Sequence, residues 1–220
     1  MARRPTAPTR LNAANLAMLG APRLAELLAE ASVGDANLKR RLRLELAAEA
    51  GPDRLAAEID KRIAALAAAR VRVSWRKRGE LIRDLEAHRR MIVDRLAPAD
   101  ARAAFASLLA WFDLFRGLSG RVQDPRGELV FAFEAAAPDL WTLAEAAAIE
   151  DPGVVEALAE ALGRHPQDFA RWIAAAGEAL APEMARQLLD ALPPAARTAR
   201  PARGAVRRLA DRARDLDLWL

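Results

Sequence analysis

The chain contains no cysteine, so it has no disulfide framework, no thiolate metal ligand and no cysteine nucleophile. Tyrosine is also missing, glycine occurs only 11 times, and no uncharged apolar run approaches the roughly 18 residues of a membrane span. These shortages speak against a barrel, a collagen-like repeat and a transmembrane protein. Only two histidines are present, His88 and His165, in separate segments and without an HExxH or ExxH neighbourhood. No metal or other cofactor is therefore expected. A Walker loop, a GxGxxG turn and a GxSxG elbow are likewise missing. The residues after the basic stretch Met1 to Arg10 carry Asn12, Asn15 and Arg23, too polar for a signal-peptide core, and a cytoplasmic protein is expected.

What the 220 residues do contain is alanine, 54 times, within a composition that is 53% hydrophobic and 29% charged. This balance suits amphipathic helices packed through small residues. The net charge of +4 conceals an asymmetry. Residues 1–100 carry 20 Lys+Arg against 13 Asp+Glu, residues 101–195 carry 7 against 14, and residues 196–220 carry 7 against 3. A basic half is thus followed by an acidic one, and the two can dock on each other or on separate partners.

Helix punctuation runs along most of the chain. Asn12 caps a short turn, Pro22 opens a second helix, and Asp35 caps a third in which Leu38, Leu42 and Leu46 share a face opposite Lys39, Arg40 and Arg43. Leu55, Ile59, Ile63 and Leu66 form the stripe of a fourth helix after Gly51-Pro52. Residues 71–78 lose the periodicity and read as a basic connection. A fifth helix then carries Leu81, Leu85, Ile92 and Leu96 and ends before Pro98. The sixth, about 99–118, has the widest apolar arc, with Phe105, Leu108, Leu109, Trp111, Phe112 and Phe115, and is the expected core centre.

The turn from Gly117 to Gly127 is the candidate boundary inside the chain. Leu129 to Phe133 fits a buried strand or a buried helix, with helical neighbours favouring the latter. Helices follow at about 139–149, 154–163, 167–177 and 182–192. The expectation is an all-α protein, an antiparallel bundle or α-solenoid-like array of about ten helices, plus an accessory helix. Its divisions are a flexible basic N-terminus (1–10), a basic helical half (11–118) packed with an acidic helical half (119–192), a Pro/Ala/Arg linker (193–203) and an amphipathic accessory helix (204–220).

Three features are candidates for function. Arg70, Arg72, Trp75, Arg76, Lys77 and Arg78 place five cations around one indole, a pattern suited to phosphates and an unpaired base, or to an acidic partner. Lys39, Arg40 and Arg43 are possible extensions of this patch. The plainer reading has Trp75 plugging a gap between helices. Second, Val206, Leu209, Ala213, Leu216 and Leu220 give the terminal helix an apolar face, opposed by Arg207, Arg208 and Arg214, that suits a partner groove or docking on its own chain. Third, His88 lies one turn after Asp84, which fits a carboxylate-oriented general base or, as the favoured reading, a plain interhelical hydrogen bond or cap. Arg89 can pair with a buried acid, grip an anionic ligand, or cover the core with its stem, and the last is favoured. For His165, before Pro166, a capping or solvent position is the plain expectation.

The run Leu11-Asn12, Asn15-Leu16, Leu19-Gly20-Ala21, Arg23 to Leu28, Gly34-Asp35 and Leu38 to Leu46 resembles an uncharacterised, mostly alphaproteobacterial family of helical proteins known as a domain of unknown function. Trp75, Lys77-Arg78, Asp84-Leu85 and Ile92-Val93 extend the resemblance, and Phe112 to Asp139-Leu140 continues it more weakly across most of 11–192. It implies a bacterial, all-helical protein and assigns no activity or site residue. The reading that follows is a non-enzymatic scaffold or adaptor for a protein partner. A nucleic-acid-binding module centred on Arg70–Arg78 is the alternative, and an enzyme with a carboxylate-lined cleft the third.

Overall fold

The structure, a computed structural model, describes residues 10–214; Leu216 and Leu220 of the accessory-helix face lie outside the described residues, as do residues 1–9 of the N-terminus. Among the described residues the protein is all-α, with twelve α-helices and no strand. The chain divides into two compact units, Met1–Arg43 and Leu44–Leu220. The division falls inside the third helix and not at the Gly117 to Gly127 turn.

In the first unit, α1 (Ala13–Ala17) is capped by Asn12, whose side chain accepts from the Asn15 amide at 2.8 Å. Helix α2 (Ala21–Ser32) begins with Pro22 in its first turn, where the missing amide proton costs nothing. Neither helix contains a fully buried residue. The third helix, α3 (Ala36–Glu49), starts under the Asp35 carboxylate, which accepts from the Leu38 amide at 3.0 Å.

The second unit begins with the C-terminal part of α3. Its buried residue is Leu44, whereas Leu46, expected on the apolar face with Leu38 and Leu42, is 72% exposed. Leu44, Ala47 and Ala48 recur at the i, i+3, i+4 spacing and pack on the core, a face offset from the one drawn through the longer leucines. Helix α4 (Pro52–Ala68) buries the expected Leu55, Ile59, Ile63 and Leu66.

Helix α5 runs from Trp75 to Met91 and passes into a π-helical turn at Ile92–Leu96 that ends before Pro98. Trp75 to Arg78 thus form its first turn, and the basic connection is confined to residues before Ser74. That segment is held by Val73, whose amide donates to Arg121 O at 2.9 Å and whose carbonyl accepts from Gln123 at 3.0 Å. Backbone pairing with the turn at residues 121–123 substitutes for the apolar periodicity that residues 71–74 lack.

Helix α6 (Ala101–Ser119) is the centre of the core. Phe105, Leu108, Trp111, Phe112 and Phe115 are buried, and only Leu109 of the expected arc is partly open. Helix α7 (Glu128–Ala148) settles the 129–133 segment as helix and continues through Pro138 to merge with the helix expected at 139–149. Phe133 stacks on Trp111 with ring centroids 4.2 Å apart, and Phe112 meets Trp172 edge-on at 4.6 Å. The buried Trp111 Nε1 donates to Leu85 O at 3.1 Å, so the indole loses no hydrogen bond on leaving water.

Beyond α7 come α8 (Gly153–Arg164), α9 (Pro166–Ala175) and α10 (Pro182–Ala191). Alternate helices pack on each other, α7 on α9 and α8 on α10, as in a stacked array. Residues 193–203, read as a flexible linker, instead form α11 (Pro194–Thr198) and a 3-10 turn at Arg200–Ala202. Arg197 secures α11 by donating to Leu192 O and Asp190 O, each at 2.8 Å. The accessory helix α12 (Arg203–Ala213) packs against α9 and α10 and belongs to the second unit.

Candidate functional site

The basic segment is split by structure into anchors and open cations. Arg78 is an anchor, buried with its Nε donating to Glu128 Oε2 at 2.9 Å and Nη1 to Gln123 O at 3.0 Å. Asp124 Oδ1 lies 3.6 Å from the same guanidinium. The Asp124 carboxylate also caps α7, accepting from the Glu128 and Leu129 amides at 2.9 Å each. One arginine thus ties the first turn of α5 to the first turn of α7. Arg78 therefore leaves the candidate patch as a structural residue.

Arg70 is also partly committed, donating to Ala67 O at 3.2 Å at the end of α4. Arg121 joins it there with a bond to Leu66 O at 3.0 Å, a carbonyl of the last turn of α4, and one to Val71 O at 3.1 Å in the connection that follows. Burial lowers the affinity of the Arg121 guanidinium for its proton, and the charges of Arg70 and Arg62 add to the effect. Arg72, Trp75, Arg76 and Lys77 remain exposed, Trp75 by 60%. Trp75 therefore does not plug the gap between helices. One face of its indole is attended by Arg76, 5.3 Å from the ring centroid.

Lys39, Arg40 and Arg43 belong to the first unit and the Arg70–Arg78 segment to the second. Lys39 and Arg43 are exposed, while Arg40 is half-buried and bonds Asn37.

Starting α5 at Trp75 creates a surface that the sequence reading missed. Trp75, Gly79, Ile82 and Glu86 fall on one side of the helix at i, i+4, i+7 and i+11. Gly79, Ile82, Arg83, Arg126 and Phe131 then line a hollow of about 490 Å³ between α5 and α7. Gly79 supplies part of the opening, because no side chain stands there. Phe131 is 71% exposed at its edge. Glu86 and Glu128 also border it but are paired with Arg90 and Arg78. Among the described residues Arg83 and Arg126 have no such partner, so the uncompensated charge at the rim is positive.

The other sequence candidates fall elsewhere. Asp84 is buried in an ion pair with Arg62, Nε to Oδ2 at 2.8 Å, and His88 is buried with Nδ1 2.7 Å from Asp84 O. The His88 contact lies within α5, one turn back along the same helix, and differs in that respect from the interhelical bond expected of it. Arg89 pairs with Asp139 of α7, so it clasps an acid in preference to covering the core with its stem. Val206, Leu209 and Ala213 are buried in the second unit, and α12 docks on its own chain. Arg212 donates to Leu180 O and Arg186 to Ala213 O, closing the ends of that contact.

Among the described residues no group of three His, Asp or Glu side chains is placed to hold a metal ion, and no helix is long and apolar enough to cross a membrane. No curated protein and no solved structure matches the chain. A family pattern does match, over residues 6–217. Its reach takes in both compact units and the docked α12, and on that extent the chain belongs to the family of unknown function DUF6880.

Proposed function

We propose that this protein is a non-enzymatic interaction module whose α5/α7 groove receives an acidic, amphipathic segment of a partner protein. The observation carrying this reading is the pairing of an exposed aromatic with unpaired cations, Phe131 beside Arg83 and Arg126. Water leaves the apolar surface when a partner's leucine or tryptophan covers Phe131 and Ile82, and the hollow over Gly79 gives such an anchor depth. The cations select acidic flanks and raise the encounter rate. Helix-in-groove recognition uses the same combination of apolar anchors and flanking charge. The bacterial, cytoplasmic setting is part of the same proposal and rests on the family resemblance in the N-terminal motifs.

A second reading has a specific observation behind it. Trp75 stands open with Arg72, Arg76 and Lys77 around it, a platform for single-stranded nucleic acid. It ranks lower because Arg76 already attends one face of the indole and Arg78 is withdrawn into the anchor.

One titration distinguishes them. A fluorescein-labelled amphipathic peptide bearing glutamates with leucine and tryptophan anchors is expected to bind saturably, and Phe131→Asp to weaken it about thirtyfold, near 2 kcal/mol. A labelled single-stranded oligonucleotide that binds more tightly than the peptide and responds to Trp75→Ala, not Phe131→Asp, transfers the function to the second reading. If neither probe saturates, both readings fail.

A further inference from the structure

Away from the groove, a second hollow of about 500 Å³ opens where the last turn of α6 meets the α8–α9 junction. Arg116 and Ser119 enter it from α6, and Arg164, His165, Gln167 and Asp168 from the junction. We propose that this hollow binds a phosphate monoester, with Arg116 as the principal charge contact.

Arg116 is not spent on an acid. Its Nη1 lies 3.2 Å from His165 Nδ1, and among the described residues no carboxylate pairs with it. A guanidinium has donors only, so in this contact Arg116 is the donor and Nδ1 the acceptor. Arg164 differs, being shared with Asp113 Oδ2 at 3.3 Å and Glu160 Oε2 at 3.9 Å. Asp168 is the acid in the lining itself. Arg116 thus faces the hollow without a carboxylate paired to it, with Asp168 the one acid in the lining.

An oxyanion with several acceptor oxygens answers that arrangement. A guanidinium offers two parallel N–H groups to one phosphate edge, and charge-assisted bonds of this kind are about twice as strong as neutral ones. The Gln167 amide and the Ser119 hydroxyl add polar contacts from two different elements, although Ser119 Oγ presently donates to Arg116 O at 3.1 Å. A hollow of about 500 Å³ far exceeds a bare phosphate, leaving space for the organic part of a monoester. Pro166 and Pro201 provide stiff walls, since their φ angles are fixed by the ring.

The two histidines make the test direct. Ring ¹H–¹³C signals of the full chain are followed during titration with glycerol phosphate, with acetate as the control anion. His165 is expected to shift saturably while His88, buried among α5 residues, stays still and reports an intact fold. In Arg116→Gln the apparent affinity is expected to fall at least tenfold with the His88 signal unchanged. The proposal is overturned by a non-saturating response, by an acetate shift equal to that of glycerol phosphate, or by wild-type affinity in Arg116→Gln.

Discussion

The guanidinium of Arg78 grips the carboxylate of Glu128 side-on, with Nε 2.9 Å from Oε2 and Nη2 2.9 Å from Oε1. Fifty residues apart in sequence, the two begin α5 and α7, and this bidentate contact sets the spacing of the helices that flank the candidate groove. Planar two-point pairing resists rotation in a way that a lysine ammonium does not.

Replacing this arginine is consequently a matter of stability. Arg78→Met leaves Asp124 and Glu128 without their buried cation, and a loss of about 2 kcal/mol is expected, below the 3–5 kcal/mol of fully buried pairs because Glu128 is half open. Lys77→Ala, one residue earlier and exposed, is expected to stay within about 0.5 kcal/mol. Urea unfolding of the two variants compares them, and equal stabilities would refute the anchoring role.

Gly79 is costly to the helix and useful to the groove. Gly79→Ala is expected to raise stability by about 0.5 to 1 kcal/mol, since the new Cβ meets only Arg83 Nη1 at an ordinary 3.6 Å. Gly79→Leu is expected to keep the fold while blocking the acidic peptide. Retained peptide affinity in the leucine variant would mean that the hollow is not the binding surface.

Leu209 tests whether α12 is an integral element. Its side chain is fully buried, and Leu209→Ala is expected to cost about 3 kcal/mol. A detachable recruitment helix would lose less than about 0.5 kcal/mol on the same substitution. Thermal or urea unfolding decides between these values.

Trp141 donates from Nε1 to Trp172 O at 3.2 Å, joining α7 to α9 inside the aromatic cluster. Trp141→Phe removes the donor and leaves a buried carbonyl unpaired, with an expected cost of about 1 to 3 kcal/mol. Comparison with Trp75→Phe at the exposed site, expected to be near neutral, controls for the change of side chain.

The helical class and most of the core were legible because they depend on local spacing. Leu55, Ile59, Ile63 and Leu66 repeat at the helix period, and all four are buried. The aromatic arc of α6 is wide enough to survive an error of two residues at its start. Leu46 shows the limit of that method: hydrophobicity drew the stripe through the leucines, while packing selected Leu44 with the smaller Ala47 and Ala48. The groove is not legible in the sequence because it needs α5 and α7 side by side: Gly79 and Ile82 meet Arg126 and Phe131 only across some fifty residues of chain.

By itself, the order of apolar and polar residues determined that this chain forms helices, where most of them stop, and which faces seek cover. Tertiary structure alone decided which charges are spent. Arg78 meets Glu128, Arg89 meets Asp139 and Arg62 meets Asp84, all across separations invisible to a local pattern, whereas among the described residues Arg83 and Arg116 meet no carboxylate. The reason is the range of the forces involved. Helix formation follows neighbours three and four residues apart, but the value of a charge depends on how much water remains around it and which opposite charge the packed chain brings within reach.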